Sequence, residues 1–509
     1  MKVNNKLLPQ PILVLIIVFL IGAILRLWGI NTQGFWHDEI YSLANLNGFD
    51  AYLFQGSDLL ANSKVLAARE YVQMLGHPRF LETLERNILH EGHPPLYQII
   101  LKSWSVIMGT SETSLRALSS FAALMTLLVI YKAGDLLESR EIGAKAALLL
   151  ATSPFHVFFS IEARSYSLAI LFCSLATLAG VAISTRPKPS YKIWIVWIIS
   201  TTAAFYTHYY AGIYCAVMAL SIAPLIPKKN IYRFLWILPF GLFLIWTPFF
   251  INTITLQSKL HWTYGTASIG DSIGGMFSGL IDILTGPRQS APSSIRLFAT
   301  ILLLISFFGL VVKNTIGQYT EKRLMWVIVS FILLIYAVDI ITNHHTILIP
   351  RYISFCQPAL LLLLAIYFSR LKTTGNILLL LLTIVSIQGS LLTISGERAP
   401  KQMLREAAVF INEKYSPGDQ ILVTPNGPTL LGLSLYLNPN ALIAGVSEEN
   451  VGSEIMANLK AGHNTWLVRQ RLGSEYIQLE KNITKLDSLE PHYTRFVGLD
   501  LYKYNAHKV

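Results

Sequence analysis

Charge is scarce in this 509-residue chain: Asp, Glu, Lys and Arg together make up 14% of it, while the apolar set (AVILMFWYC) makes up 53%. That balance excludes an ordinary soluble globular protein, in which about a quarter of residues are charged. Cysteine is nearly absent. Cys173, Cys215 and Cys356 all fall in apolar segments, which excludes a disulfide scaffold and leaves them as core residues; a bridge between neighbouring helices has no sequence support. No Walker loop and no dinucleotide fingerprint occurs, so a soluble nucleotide is not an expected donor. No internal repeat is evident, which weakens the inverted-repeat signature of many transporters. The formal charge of +11 would suit nucleic acid, but the basic residues are spread through short connections. Topology explains them better, and no nucleic-acid partner is expected.

What is present is a series of apolar stretches of 17 to 22 residues between residues 11 and 395, each long enough to cross ~30 Å of hydrocarbon as a helix. The expected fold class is therefore a polytopic α-helical membrane protein. The first stretch, PILVLIIVFLIGAILRLWGI, follows Lys2 and Lys6 as a signal peptide would. It is too long and lacks a small-x-small cleavage site, and reads as a retained anchor.

The connections divide by charge. Lys2 and Lys6, the groups around Lys132 to Lys145, Arg186 to Lys192, Lys228 to Arg233 and Lys313 to Arg323, and the pair Arg370 and Lys372 together hold sixteen basic residues, so the positive-inside rule places them in the cytoplasm. The turns near 160–164, 206–210 and 343–351 hold at most one Arg each and face outward. The run 96–108 is thirteen residues long and reads as an interfacial helix. Without it, about eleven crossings are expected, at 11–30, 114–131, 142–159, 165–183, 192–206, 209–226, 232–251, 293–312, 324–341, 352–369 and 375–394.

Two regions follow from this division. Residues 1–395 read as a transmembrane module whose external loop 31–113 carries amphipathic stretches, SKVLAAREYVQML and RFLETLERNIL among them. Residues 396–509 read as a small external α/β domain: helix-like KQMLREAAVFINEKY, a turn at SPGDQ, and strand-like ILVTP and TWLVRQ.

The candidate chemistry lies on the outward face. Asp38-Glu39 in FWHDEIYSL, Glu91 and His93 in EGHPPLY, Glu162, Arg164 and Tyr166 in SIEARSY, His208 in YTHYY and Arg351 in PRYISF all sit beside apolar segments. Ionised groups near lipid need water, a cation or a partner. A carboxylate can take a proton from an acceptor hydroxyl, and guanidinium suits bidentate phosphate recognition; together these are the needs of sugar transfer from a lipid phosphate. Blander readings stand beside each. Asp38-Glu39 fits a solvated loop, the arginines fit headgroup anchors, and His208 fits a hydrogen-bonded structural histidine. Tyr206, Tyr209 and Tyr210 fit an interfacial aromatic belt, and His344-His345 a solvated helix end. Glu91 and His93 could hold a divalent metal ion, although ExH in a loop is a weak signature. Pro94-Pro95 would stiffen the entry to the interfacial helix.

These landmarks resemble the C-fold integral membrane glycosyltransferases, in the protein O-mannosyltransferase-like superfamily that includes the lipid A aminoarabinose transferases. An acidic pair after the first helix, an HPPL segment, an Arg opening the next span and an EAR-like motif correspond to Asp38-Glu39, His93-Pro94-Pro95-Leu96, Arg116 and Glu162-Ala163-Arg164. The resemblance implies a polyprenyl-phosphate sugar donor, attack by a hydroxyl-bearing acceptor (protein, lipid or glycan) at the external face, and inversion at the anomeric centre. It implies Asp38, supported by Glu39, as the catalytic carboxylate, with Arg164 and Arg351 at the donor phosphate. Glu91, His93, Glu162, Tyr166 and His208 are the expected substrate-binding residues, and Glu91 with His93 the expected metal ligands. A bacterial plasma membrane is the expected setting. A transporter of lipid-linked sugars and a noncatalytic membrane scaffold are the alternatives.

Overall fold

In chain order the helices are α1 (Gln10–Trp28), α2 (His37–Leu46), α3 (Ala68–Met74), α4 (Phe80–His90), α5 (Leu96–Met108), α6 (Glu112–Leu137), α7 (Arg140–Thr152) and α8 (Pro154–Ser160). Next come α9 (Tyr166–Thr185), α10 (Tyr191–Thr207), α11 (Tyr209–Ile222), α12 (Asn230–Leu244), α13 (Thr247–Gln257), α14 (Ile269–Thr285) and α15 (Tyr319–Thr342). The last are α16 (Pro350–Ile353), α17 (Gln357–Arg370), α18 (Lys372–Ile394), α19 (Leu404–Lys414), α20 (Pro428–Ser434) and α21 (Val451–Lys460). The structure, a computed structural model, describes residues 10–47, 65–74, 80–90, 93–186, 188–226, 228–257, 265, 267–286, 294–302, 319–397, 401–424, 427–447, 449–470 and 491–506. The chain forms two units: Met1–Ile30 with Gly92–Ala399, and Asn31–Glu91 with Pro400–Val509.

In the first unit, six described helices are long and apolar enough to cross a membrane: Ile12–Asn31, Glu112–Leu137, Tyr166–Thr185, Glu321–Thr342, Pro350–Arg370 and Lys372–Ile394. A seventh candidate is the pair α7 and α8, bent by 62°. The remaining expected crossings differ for local reasons. Span 142–159 breaks at Ser153 because Pro154 has no N–H to continue the ladder. Helices α10 and α11 meet at His208, where the expected crossings 192–206 and 209–226 adjoin, but are only 17 and 14 residues long, and the stretch expected to cross at 232–251 stops at Leu244 and restarts at Thr247. The stretch 293–312 is described only through residue 302. Residues 96–108 form the expected thirteen-residue helix.

Helix α17 is the centre of the bundle. Every residue from Gln357 to Phe368 is buried, as an all-round apolar helix requires. Helices α6 and α7 approach so closely that a Cβ on Gly143 would lie 2.3 Å from the Tyr131 carbonyl oxygen; small residues are what allow such a crossing. Arg26 braces the break between α7 and α8. Fully buried, it donates through Nη1 to the carbonyls of Gly22 (2.9 Å) and Ala151 (3.0 Å), and through Nη2 to Leu150 (3.2 Å); Nη2 also meets His156 Nδ1 at 2.8 Å. The Leu150 carbonyl is the one that Pro154 would have served, so the guanidinium replaces what the helix lost. The three cysteines are buried and free, as expected.

Several basic connections meet at one end of this bundle. Arg370 pairs with Glu321 and lies 3.6 Å from Glu138, while Arg323 donates to Ser184 at 3.3 Å. The ends of α6, α9, α15 and α17 are thereby gathered together, in keeping with the alternation of basic and nonbasic connections.

The second unit is built on strands β1 (Leu66–Ala67), β2 (Gln420–Thr424), β3 (Leu442–Gly445), β4 (Thr465–Gln470), β5 (His492–Phe496) and β6 (Leu499–Tyr504), in the order β1-β3-β2-β4-β6-β5. The β2 strand runs parallel to β3 and β4, and the other pairings are antiparallel. Helix α19, the turn at Gly418 (φ +98), β2 and β4 fall where the sequence pattern puts them. The membership of the unit differs from the expected division, because residues 31–91 fold with 400–509. Leu66 pairs with Ile443, the Phe35 N–H donates to Tyr436 Oη at 2.8 Å, and the Lys401 N–H donates to Gln33 Oε1 at 2.8 Å. Helix α2 packs close to α20: a Cβ on Gly432 would lie 2.6 Å from Leu404 and 3.2 Å from Ile40.

Candidate active site

The EAR segment forms a tight turn between α8 and α9. The Arg164 N–H donates to the Glu162 carbonyl at 2.9 Å. Serines on α6 and α9 pin the turn: Ser120 Oγ donates to Ser160 (2.8 Å), Ser119 Oγ to Arg164 (3.3 Å) and Ser167 Oγ to Phe159 (2.9 Å), all at carbonyls. Glu162 and Ala163 are wholly buried and Arg164 is half-buried. Arg116, on the first turns of α6, is buried and donates to the Ile30 carbonyl at 3.0 Å, tying this helix to the end of α1.

His208 ends α10 in an extended conformation and caps α11, its Nδ1 accepting the Tyr210 N–H at 3.3 Å. Its ring lies 4.7 Å from Phe355, 5.7 Å from Tyr166, 5.7 Å from Tyr352 and 5.8 Å from Tyr210, centroid to centroid. Burial holds its proton affinity well below the ordinary histidine value, and electrostatic repulsion from His93, Arg351 and Arg164 pushes the same way. Those interactions place His93, Arg164, His208 and Arg351 in one electrostatic neighbourhood. The Arg351 guanidinium carbon lies 6.0 Å from the Tyr166 ring centre and 5.5 Å from that of Tyr352, within reach of a cation–π contact.

The loop that delivers Arg351 is fixed by Asp339 and Thr346, which no sequence motif singles out, together with Tyr210 and Tyr352. Asp339 accepts from Thr346 Oγ1 and from the Ile347 N–H (2.6 Å). Thr346 in turn bonds Tyr210 Oη at 2.6 Å, and Tyr210 stacks on Tyr352 at 4.6 Å with 13° between the rings. A lone Asp near the end of an apolar span was the available signal for Asp339. His344 is buried in this loop, and His345 Nδ1 meets the Gly265 carbonyl oxygen at 3.2 Å, where a solvated pair was one reading.

Six of the expected site residues, His93, Glu162, Arg164, Tyr166, His208 and Arg351, therefore belong to the first unit. Asp38 and Glu39 belong to the second, in the first turn of α2, where the helix dipole favours acids. Glu39 is wholly buried and Asp38 half-buried. Their neighbour His37 meets Gln470 Nε2 through Nδ1 at 3.2 Å, and Gln470 Oε1 accepts from Thr429. Glu91 lies outside the described residues. Among the described residues, no group of three or more His, Cys, Asp and Glu side chains could hold a metal ion.

Residues 92–262, about a third of the chain, match the family described as dolichyl-phosphate-mannose-protein mannosyltransferase. No curated protein sequence matches the chain significantly. Among solved structures, the chain is similar to ArnT from Cupriavidus metallidurans in the apo state, with a TM-score of 0.56 and 11% identity over 98% of both chains. It is also similar to the same protein bound to undecaprenyl phosphate, with a TM-score of 0.54 and 11% identity over 97% of both chains. The archaeal oligosaccharyltransferase AglB from Archaeoglobus fulgidus, in complex with an inhibitory peptide and a dolichol-phosphate, gives a TM-score of 0.47 and 11% identity over 98% of this chain and 74% of its own. The apolar bundle of a multi-pass membrane protein thus carries the mannosyltransferase match over residues 92–262, and the chain shares its fold with ArnT over nearly its whole length.

Proposed function

We propose that the protein transfers one sugar from a polyprenyl-phosphate donor to a hydroxyl-bearing acceptor at the external membrane face, with inversion. The observation that carries this reading is the cationic group of the first unit: Arg164 and Arg351 beside a His208 held neutral, with His93 near and the rings of Tyr166 and Tyr352 around them. Such a group is suited to a phosphate that gains charge as it departs. The fold shared with a protein crystallised with undecaprenyl phosphate supports the choice of donor class.

In this reading the acceptor oxygen attacks the anomeric carbon, the bond from that carbon to the phosphate oxygen breaks, and the electron pair leaves with the polyprenyl phosphate. Arg164 and Arg351 stabilise the departing charge, Tyr166 and His208 shape the pocket, and Glu162 supports the turn that presents Arg164. Asp38 takes the acceptor's proton, with Glu39 beside it in the same helical turn. This assignment rests on the sequence pattern around the acidic pair. Of the expected metal ligands, Glu91 is outside the described residues and His93 acts electrostatically on His208; no step is routed through a metal ion. The test is mass spectrometry of lipid extracts from cells lacking the protein. A polyprenyl-phosphate sugar should accumulate and disappear on complementation; an unchanged lipid profile would count against the donor assignment.

A further inference from the structure

The end of the bundle opposite His208 carries a second concentration of positive charge. Because His208 joins α10 to α11, the connection before α10 and the one after α11 lie together, about 21 Å away along the 14 residues of α11 at ~1.5 Å each. Contacts confirm the pairing. The Trp194 ring stacks on Tyr232 at 5.8 Å, and the Trp197 indole donates to the Trp236 carbonyl at 3.1 Å. These two connections carry Arg186, Lys188, Lys192, Lys228, Lys229 and Arg233, and no Asp or Glu occurs between Glu162 and Asp271.

Elsewhere at this end basic side chains are matched by acids: Lys132 with Asp135 at 2.7 Å, Lys145 with Glu141 at 2.6 Å, and Arg370 with Glu138 at 3.6 Å. Lys228 and Arg233 are exposed and have no ion pair among the described residues. Between them opens a cavity of about 470 Å³, lined also by Ile226, Phe234, Trp236 and Ile237, a volume within the range of ~300–1,000 Å³ typical of ligand sites. It lies at the N-terminal, electropositive end of α12. Phe234 and Ile237 are more than half exposed, so one wall is apolar and open while the other is cationic.

We propose that this cavity binds the headgroup of an anionic phospholipid, with the phosphate held between Lys228 and Arg233 and the acyl chains lying along Phe234 and Ile237. Basic pockets at the end of membrane helices recognise lipid phosphate in this way. Positive charge spread over a whole face would attract anionic lipid without selecting a place; the cavity and its missing acids localise it.

Native mass spectrometry of the full chain in detergent, titrated with phosphatidylglycerol and separately with phosphatidylcholine, tests this. The wild type should bind phosphatidylglycerol in preference. The double substitution Lys228→Gln and Arg233→Gln should weaken that binding by about tenfold to thirtyfold, since both cations that hold the phosphate are lost. Lys228→Gln alone should give a smaller loss. The control, Lys188→Gln with Lys192→Gln, removes equal charge from side chains that do not line the cavity and should weaken binding much less. Equal losses in the two double variants, equal binding of phosphatidylcholine, or displacement of phosphatidylglycerol by millimolar inorganic phosphate would each overturn the proposal. A matching gel-filtration profile for every variant, taken with bound phosphatidylglycerol per folded protein, keeps a folding defect from passing for lost binding.

Discussion

Arg351 stands out in the sequence, whereas its surroundings do not. A lone cation between two apolar segments stands out in sequence, as do Arg164 and His208. The carriers that aim Arg351, namely Asp339, Thr346, Tyr210 and Tyr352, act through contacts between α11, α15 and the loop after it, which no local pattern encodes. If Arg351 holds the donor phosphate, Arg351→Ala should lose about 1.5–3 kcal/mol of donor interaction, roughly tenfold to a hundredfold in donor use at matched protein level. Arg351→Lys should rescue only part, having lost the planar fork. Steady-state transfer against donor concentration checks this, and unchanged donor dependence would leave Arg351 as a headgroup anchor. His208 gives a pH test. Its native proton affinity lies well below the unfolded value near 6.5, so above that pH both states are neutral and its contribution is fully present. As pH falls below about 6.5 the unfolded chain takes the proton first, and stability is lost. The thermal midpoint of the purified protein should drop between pH 7 and pH 5. His208→Asn can still cap α11 but cannot titrate, and should show a shallower drop.

At the scale of elements, the sequence reading placed most helices and the strands at 420–424 and 465–470, because apolar runs and alternation are local signals. It treated 142–159 as one span. The proline was visible, but the bend is stable because Arg26, remote in sequence, satisfies the carbonyls of Leu150 and Ala151. Removing that side chain leaves buried acceptors unpaired, at about 1–3 kcal/mol. Arg26→Leu should therefore lower the thermal midpoint, and Arg26→Lys should recover part of the loss. A midpoint unchanged by Arg26→Leu would mean that the break needs no brace.

For the whole molecule, the number of regions was legible and their membership was not. Residues 31–91 lie between two apolar segments, and read locally they belong to the membrane module. Their partners, Ile443, Tyr436 and the Lys401 N–H, are more than 300 residues away. The acidic pair is therefore carried by a unit that the chain completes only at its end. The proposed orientation rests on the charge of the connections. With its three native cysteines buried, the chain gives a low labelling background. An impermeant thiol reagent applied outside intact cells should label Glu413→Cys and not Lys188→Cys; the reverse pattern would invert the arrangement.

The central claim, that this is a transferase in which Asp38 receives the acceptor's proton, is tested most directly by Asp38→Asn. Asparagine keeps the volume and hydrogen bonding of aspartate and removes the base. The variant should enter the membrane at normal level and lose sugar transfer by roughly 10²–10⁴-fold, the range general-base catalysis supplies, and Glu39→Gln should be milder. The measurement is transfer from a polyprenyl-phosphate sugar in membranes with matched protein content. Near-normal turnover by Asp38→Asn would contradict the account.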